Sequence, residues 1–366
     1  MTTNNITSLL VDNRLPISVS RCGLTLTEIL ASVFVLSFGL VAALTVLPFA
    51  TFQLNRMNVA DTSGACGRGT IQQIRMAEWQ KPEALNYAWD VFAPADPYIV
   101  DPLGLFGFCD NPIAASIVHP PKFPYHLNLD TSTVGLHVFV PVEIASQSSV
   151  VERDYVSNLY FRWGDDVLFD ASDSSQRPTK VESAVTSAGD FTWMYMVTPV
   201  IDPQATVWPS GTSVPPSGTI FPSAVTSPEA VLGYEVASVV FHRRDMVFDT
   251  NYPAIRQITL DNTKSTINAT GACIELSSSD PDEMDLSTIK WLLLTSTPID
   301  MPITAQWYRI TGYDDMMPNG DGYVRRVFLV GPDWKGAKNA AGNPDGTVHA
   351  ILCDGVVNVF QATMPK

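Results

Sequence analysis

One uncharged stretch near the N-terminus limits what this chain can fold into more than any other feature. Residues 29–55 form an uninterrupted run without a formal charge, bounded by Glu28 and Arg56. Its most apolar part, residues 29–50, would be about 33 Å long as a helix, which matches the ~30 Å hydrocarbon core of a bilayer. The run has no polar face, so we expect a helix that lipid or other helices surround on every side.

The residues before this run differ from an ordinary secretory signal. Such a signal has its small-residue cleavage site after the apolar run, whereas here Gly23 precedes the run and Glu28 lies just inside it. A charged side chain deep in a membrane helix costs about 2.5–3.5 kcal/mol and therefore tends to mark function. The alternative is that Glu28 lies at the interface and stabilises the helix N-terminus through the helix dipole.

This segment resembles the prepilin signal of type IV pilins and type II secretion pseudopilins. That signal is a glycine, a hydrophobic residue, Thr-Leu-x-Glu and a long apolar helix. At the same spacing this chain has Gly23, Leu24, Thr25, Leu26 and Glu28. Leu24 stands where the family more often has Phe or Met. The later Leu-Ser-Phe-Gly-Leu at 36–40 is similar to minor pilins of the pilus-modification type.

The resemblance implies how the chain is processed and what it does. It implies cleavage by a prepilin peptidase after Gly23, methylation of the new Leu24 amine, and assembly contacts at Glu28, Thr25 and Leu26. The implied function is a non-enzymatic minor pilin or pseudopilin subunit of a type IV pilus or type II secretion pseudopilus. Its partners would be the peptidase, other pilin or pseudopilin subunits and the inner membrane, and no cofactor is implied. A helix-anchored periplasmic binding or adhesion module is the alternative.

Charge predicts the location of the chain. The net charge of −15 disfavours nucleic acid as a partner. Arg14 and Arg21 precede the apolar run, and positive flanks tend to stay in the cytoplasm. We therefore expect a single pass through the inner membrane, with a cytoplasmic N-terminus and a periplasmic or extracellular C-terminal domain.

Beyond the apolar run the pattern predicts a helix. Small and apolar residues recur there at alternating spacings of three and four, which indicates one face of a helix. They are Met57, Ala60, Gly64, Gly67, Ile71 and Ile74. We expect this helix to break among the glycines at 64–69, and Pro48 to break or kink the apolar helix before it.

Strand patterns dominate the rest of the chain. The predicted strands, rich in β-branched and aromatic residues, are 135–143, 155–163, 191–201, 234–243, 256–260, 289–295, 306–312, 323–330 and 347–359. The predicted fold class is α+β: a long N-terminal transmembrane helix, pilin-like, packed on a large antiparallel β-rich C-terminal domain. We expect a leader at 1–23, a transmembrane and assembly helix at 24–55, its continuation and a connector at 56–92, and an exported domain at 93–366.

One oxygen-rich loop is a candidate calcium site. Asp315, Asn319 and Asp321 would be its ligands, because carboxyl and amide oxygens suit calcium. The spacing does not meet that of an EF-hand loop. A hairpin loop between the predicted strands 306–312 and 323–330 explains the same residues through Asn-Gly and Asp-Gly turns, and we prefer this interpretation.

Four cysteines lie in the part expected to be exported, where disulfides form. They are Cys66, Cys109, Cys273 and Cys353. Three pairings are open and the sequence does not choose among them; free buried thiols are the alternative. The chain has no GxSxG or HExxH motif, so we expect no enzymatic activity.

Overall fold

The computed structural model describes residues 25–81, 84–86, 96–109, 122–124, 136–146, 156–157, 159–162, 167–169, 185–187, 191–201, 231–244, 255–261, 264–268, 271–297, 303–336 and 347–366. The chain divides into two compact units, Met1–Met57 and Asn58–Lys366. The first unit contains the apolar part of a long helix. The second contains the rest of that helix and the described strands.

Helix α1 (Leu26–Met76) is 51 residues long and continues through Pro48 and through the glycines at 64, 67 and 69. The break expected among the glycines does not occur. Pro48 removes only one backbone hydrogen bond of the helix. In apolar surroundings, any other conformation of this uncharged segment would leave many more backbone N–H and C=O groups unpaired, so the helix is retained. The glycines stay helical because this part of α1 packs on a sheet, which outweighs about 1 kcal/mol per glycine.

The buried face of α1 in the second unit differs from the predicted stripe. Its buried residues are Ser63, Cys66, Gly67, Thr70 and Ile74. The predicted stripe shares Gly67 and Ile74 with this face, whereas Met57 and Ala60 are exposed. The predicted stripe did not include Thr70, because the pattern counted only small and apolar residues. Thr70 can be buried because its hydroxyl is hydrogen bonded to the Ser238 hydroxyl at 2.6 Å.

α1 ends in a Schellman motif that has no glycine. Glu78 has a φ of 55°, in the left-handed region. The N–H of Trp79 donates to the carbonyl of Ile74 at 3.1 Å, and the N–H of Glu78 donates to the carbonyl of Arg75 at 3.4 Å. Most helices with this ending have glycine where Glu78 stands, because a Cβ is strained there.

We expect Glu78→Gly to raise the free energy of unfolding by about 0.5–1 kcal/mol, because it removes the strain of the left-handed backbone. Glu78→Val should lower it, since a β-branched residue tolerates this conformation least. Glu78 also forms an ion pair with Lys81 at 2.9 Å, so Lys81→Ala is the control for loss of that pair. Urea unfolding of the detergent-solubilised full chain measures all three. Equal stabilities of the Gly and Val variants would contradict the strain argument.

The second unit contains short helices and many strands. The short helices include α2 (Pro102–Cys109), α3 (Val142–Ala145) and a 3-10 helix at Asp282–Met284. The strands are β1 (Leu85–Asn86), β2 (Tyr98–Val100), β3 (Lys122–Phe123), β4 (Leu136–Pro141), β5 (Val167–Phe169), β6 (Val185–Ser187), β7 (Phe191–Ile201), β8 (Val231–His242), β9 (Ile255–Leu260), β10 (Thr266–Asn268), β11 (Gly271–Ser278), β12 (Trp291–Thr297), β13 (Thr304–Tyr313), β14 (Met317–Asn319), β15 (Gly322–Val330), β16 (Thr347–Cys353) and β17 (Val356–Pro365).

The first sheet has the order β1-β4-β2-β7-β8-β17, and β3 also pairs with β4. Its described neighbours are antiparallel except β2 and β4, which are parallel. The centre of the sheet is the long pair β7 and β8, in which Tyr195 lies opposite Ser238. β5 and β6 form a separate pair.

Six strands of the second sheet close into a barrel. Their order is β9-β16-β12-β13-β15-β11, and β11 pairs back to β9. Alternate residues of a strand point inward, and the interior is filled by side chains such as Leu292, Leu294, Val327 and Leu329. The barrel is therefore a packed core, as small barrels are.

The first sheet lies between α1 and the barrel. On one face, Ser238 bonds to Thr70 of α1. On the other, Glu235 forms an ion pair with Lys335, which follows the barrel strand β15. Ser238 and Glu235 are three residues apart on β8, so they point to opposite faces. Trp307 on the outside of the barrel belongs to the same hydrophobic core as the sheet.

The coarse fold prediction is confirmed: the chain is α+β, with one long apolar N-terminal helix and a β-rich C-terminal part. The predicted antiparallel pairing of 306–312 with 323–330 is confirmed as β13 and β15. The strand predicted at 155–163 is wrong, because residues 156–157 and 159–161 are helical. Phe161 stacks there on Trp79 with ring centroids 5.6 Å apart, and such packing overrides strand propensity.

Candidate functional site

α1 begins with a capping box made by Thr25 and Glu28. The N–H of Glu28 donates to the Thr25 hydroxyl at 3.3 Å, and the N–H of Thr25 donates to Glu28 Oε2 at 2.8 Å. The Thr25 hydroxyl also donates to Glu28 Oε2, at 3.0 Å. This reciprocal bonding satisfies backbone N–H groups that a helix start leaves free. Glu28 therefore has a local role at the helix start.

Thr25 and Glu28 are brought together, and Leu26 lies beside them with 75% of its surface exposed. Gly23 and Leu24, the predicted processing site, lie outside the described residues. Sequence reasoning did not identify the reciprocal cap, although Thr-x-x-Glu before an apolar run is its known signal.

The apolar part of α1 exposes its large side chains. Every large apolar side chain from Leu26 to Met57 is exposed, between 48% for Ile29 and 75% for Leu26. By its length and composition α1 is able to cross a membrane. Apolar surface in water costs roughly 25 cal/mol per Å², so exposure of this surface to water is unfavourable.

The hydroxyl groups of this apolar stretch need no outside partner. Each donates to a carbonyl oxygen of α1 three or four residues earlier, at 2.7–2.9 Å; they are Ser32, Ser37, Thr45 and Thr51. An unpaired hydroxyl would cost several kcal/mol in hydrocarbon. The stretch therefore combines exposed apolar side chains with internally satisfied polar groups.

The oxygen-rich loop is part of a tight, exposed hairpin. Strand β14 pairs with β15, and Asn319 lies opposite Gly322. Gly320 takes a φ of 60°, which the turn requires. The candidate ligands Asp315, Asn319 and Asp321 are all exposed. Within the part of the chain that the structure describes, no group of three or more His, Cys, Asp or Glu side chains is placed to hold a metal ion.

Three of the four cysteines are free thiols in the structure. Cys66 and Cys353 are buried and Cys273 is half-buried. Burial raises the pKa of the Cys353 thiol to about 12, so this group stays protonated and unreactive. The alternative of free buried thiols therefore holds for Cys66 and Cys353, and Cys273 is also unpaired. The side chain of Cys109 lies outside the described residues.

No protein-family model, curated protein or solved structure matches this chain. Function is therefore assigned from the residues of the chain itself. The most informative of these are the start of α1 and its uncovered apolar surface.

Proposed function

We propose that this chain is a membrane-anchored, non-enzymatic subunit of the minor pilin or pseudopilin type. A prepilin peptidase cleaves it after Gly23 and methylates the new Leu24 amine. α1 then crosses the inner membrane, with the C-terminal domain on the periplasmic or extracellular side. The same helix joins neighbouring subunits in a type IV pilus or a type II secretion pseudopilus.

The observation that carries the proposal is the uncovered apolar surface of α1, which begins directly after the prepilin-like residues Gly23 and Leu24. A helix used only inside a folded domain would bury an apolar face, and this one buries none between Leu26 and Phe49. Such a surface can lie in lipid before assembly and against other copies of the helix after it. Packing between helices replaces lipid contacts at little cost.

Glu28 has a place in this assembly. Cleavage leaves Leu24 with an α-amino group, four residues before Glu28 and one residue before the capping Thr25. In hydrocarbon both charges need a partner. A bond from the Leu24 amine of one subunit to Glu28 of the next would neutralise both groups and set the axial step between subunits. Glu28 already accepts two bonds at one oxygen, and its second oxygen is left for such an amine.

The first test is processing. We expect the mature chain, extracted from membranes of cells that contain a prepilin peptidase, to begin with methylated Leu24. Intact mass and N-terminal sequencing measure this directly. Gly23→Val should leave the leader attached, because cleavage needs a small residue before the cut, and the variant should still be inserted. A wild-type chain that keeps Met1 under these conditions would contradict the proposal. It would favour a helix-anchored binding or adhesion module instead.

The second test separates assembly from helix capping. We expect Glu28→Ala to be inserted and cleaved as usual but to lose at least about tenfold in subunit–subunit cross-linking, because its charge no longer pairs with a neighbouring amine. Thr25→Ala is the matched control, since it breaks the same capping box and leaves the carboxylate. It should keep most of its cross-linking. Equal losses in both variants would mean that Glu28 acts only as a cap.

A further inference from the structure

We propose that the exposed face of α1 around Arg68 and Arg75 binds the acidic turn at residues 280–285 of a second copy of this chain. The inference rests on the proposed function and adds a contact between the exported domains to the contact between apolar helices. Its two surfaces belong to the second unit, and both are exposed.

The helix face is positively charged although the chain is strongly acidic. Arg68 and Arg75 are seven residues apart on α1, about 10.5 Å along the axis, and point to the same side. Gln72 lies between them, and all three are exposed on the side opposite the buried face. Neither arginine forms an ion pair with any residue that the structure describes. Asp61, seven residues before Arg68, limits this positive surface at its N-terminal end.

The acidic turn has four exposed carboxylates in six residues. They belong to Asp280, Asp282, Glu283 and Asp285. None of them forms an ion pair within the described part of the chain. Hydrogen bonds from the N–H and hydroxyl of Ser287 lower the pKa of Asp285 below its usual range, so this group stays charged at neutral pH.

The turn is held rigidly on the barrel. Met284, inside the turn, is fully buried in the barrel core. Arg256 donates to the carbonyl of Asp282 at 3.0 Å and to that of Asp285 at 3.2 Å, and Arg325 donates to the carbonyl of Met284 at 2.6 Å. A charged surface that is already ordered loses little entropy when it binds.

The partner that binds the arginine face is a second copy of this chain. The arginine face and the acidic turn have opposite charges, and they lie on different layers of the second unit. α1 covers one face of the first sheet and the barrel packs on the other, so α1 and the turn are not paired within one molecule. Two different complementary surfaces on one subunit make a head-to-tail contact, and repetition of that contact gives a closed ring or an open polymer. α1 is also the element that the proposed function brings next to its neighbours.

This contact should contribute more to the orientation of neighbouring subunits than to the affinity between them. Exposed ion pairs contribute little each and are screened by salt, whereas charge complementarity sets register and partner choice. The full chain in membranes, with a photo-reactive benzoylphenylalanine in place of Gln72, is the probe. We expect its cross-linked peptide to include residues 280–285. The yield of this cross-link should fall roughly three- to tenfold in Arg68→Glu/Arg75→Glu copies. It should fall by a similar factor when the salt concentration is raised to about 0.5 M, because salt screens exposed charges.

Charge exchange makes the test specific. Asp280→Lys/Asp282→Lys/Glu283→Lys copies alone should also lose cross-linking, because their turn then has a net positive charge. When only the arginine variant carries the probe at position 72, mixing it with these copies should restore its cross-links, because its glutamates then face lysines. Asp314→Lys/Asp315→Lys/Asp321→Lys is the matched control. It makes the same charge change on the exposed β13–β14 loop and the turn after β14, and mixing it with the probe-carrying arginine variant should restore nothing.

A second probe separates this inference from the proposed function. A photo-reactive residue in place of Val35 reports contacts of the apolar helix. Cross-links at position 35 between copies, without cross-links from position 72 to the turn or without recovery in the mixture, would overturn the inference and leave the proposed function standing. Absence of protein cross-links at both positions would overturn both.

Discussion

Asp101→Ala is expected to lower the free energy of unfolding by about 3–5 kcal/mol, because it removes one partner of a buried ion pair that is joined by two hydrogen bonds. Arg244 Nη1 donates to Asp101 Oδ1 at 2.8 Å and Nη2 to Oδ2 at 2.5 Å, and the two side chains are 4% and 0% exposed. Asp101 also caps α2 by accepting the N–H of Gly104 at 3.1 Å. One carboxylate thus joins α2 to the segment that follows β8.

The comparison needs a partly exposed pair and a double variant. Asp354 forms an ion pair with Arg256 at 3.2 Å, where the side chains are 41% and 14% exposed. Asp354→Ala should therefore cost less than about 1 kcal/mol. Asp101→Ala/Arg244→Met should recover part of the loss, because the buried guanidinium is removed together with the carboxylate. Urea unfolding of the detergent-solubilised full chain measures these values. An Asp101→Ala cost no larger than that of Asp354→Ala would refute the argument.

Gly67→Ala should destabilise the chain by about 1–3 kcal/mol through overpacking. A Cβ at this position would lie 1.9 Å from Cδ2 of the Phe360 ring on β17. Either the ring or α1 must then move, and Gly67 lies on the buried face of the helix. The glycine is needed for close approach of helix and sheet.

Gly64 is the matched control in the same helix. A Cβ there would meet only the end of the Arg68 side chain, at 3.5 Å, so Gly64→Ala should stabilise by up to about 1 kcal/mol through helix propensity. Phe360→Leu should reduce the cost of Gly67→Ala, since it removes the ring. Thermal unfolding of the solubilised chain reports the signs. Stabilisation by both alanines would show that α1 does not approach the sheet this closely.

Some features follow from neighbouring residues alone and could be predicted. The uncharged run 29–55 dictates a helix for apolar surroundings, because hydrophobicity and backbone hydrogen bonding act within the segment. The hairpin of β13 and β15 is similar, since Asn319-Gly320 favours a tight turn between two strand-forming segments. The Thr25–Glu28 cap could also be predicted, because its complete signal, Thr-x-x-Glu, lies within four consecutive residues.

Other features depend on residues that are far apart in the chain, and no local pattern contains them. Asp101 and Arg244 are 143 positions apart, and only the fold brings their charges together. Closure of the barrel needs β11 to pair with both β9 and β15, and periodicity along one strand does not name its neighbours. The segment around Phe161 has strand-forming residues and is helical because Trp79 packs on it.

The sequence by itself thus determined the membrane-type helix, its cap, the strand-rich remainder and the β13–β15 hairpin, since short-range hydrophobicity and turn chemistry decide these. The tertiary structure alone decided which face of α1 is buried, that the second sheet closes, that Cys66 and Cys353 stay unpaired, and which charges remain exposed on α1 and at 280–285. Those outcomes depend on packing and charge pairing between distant segments. They are settled only when the core forms as a whole.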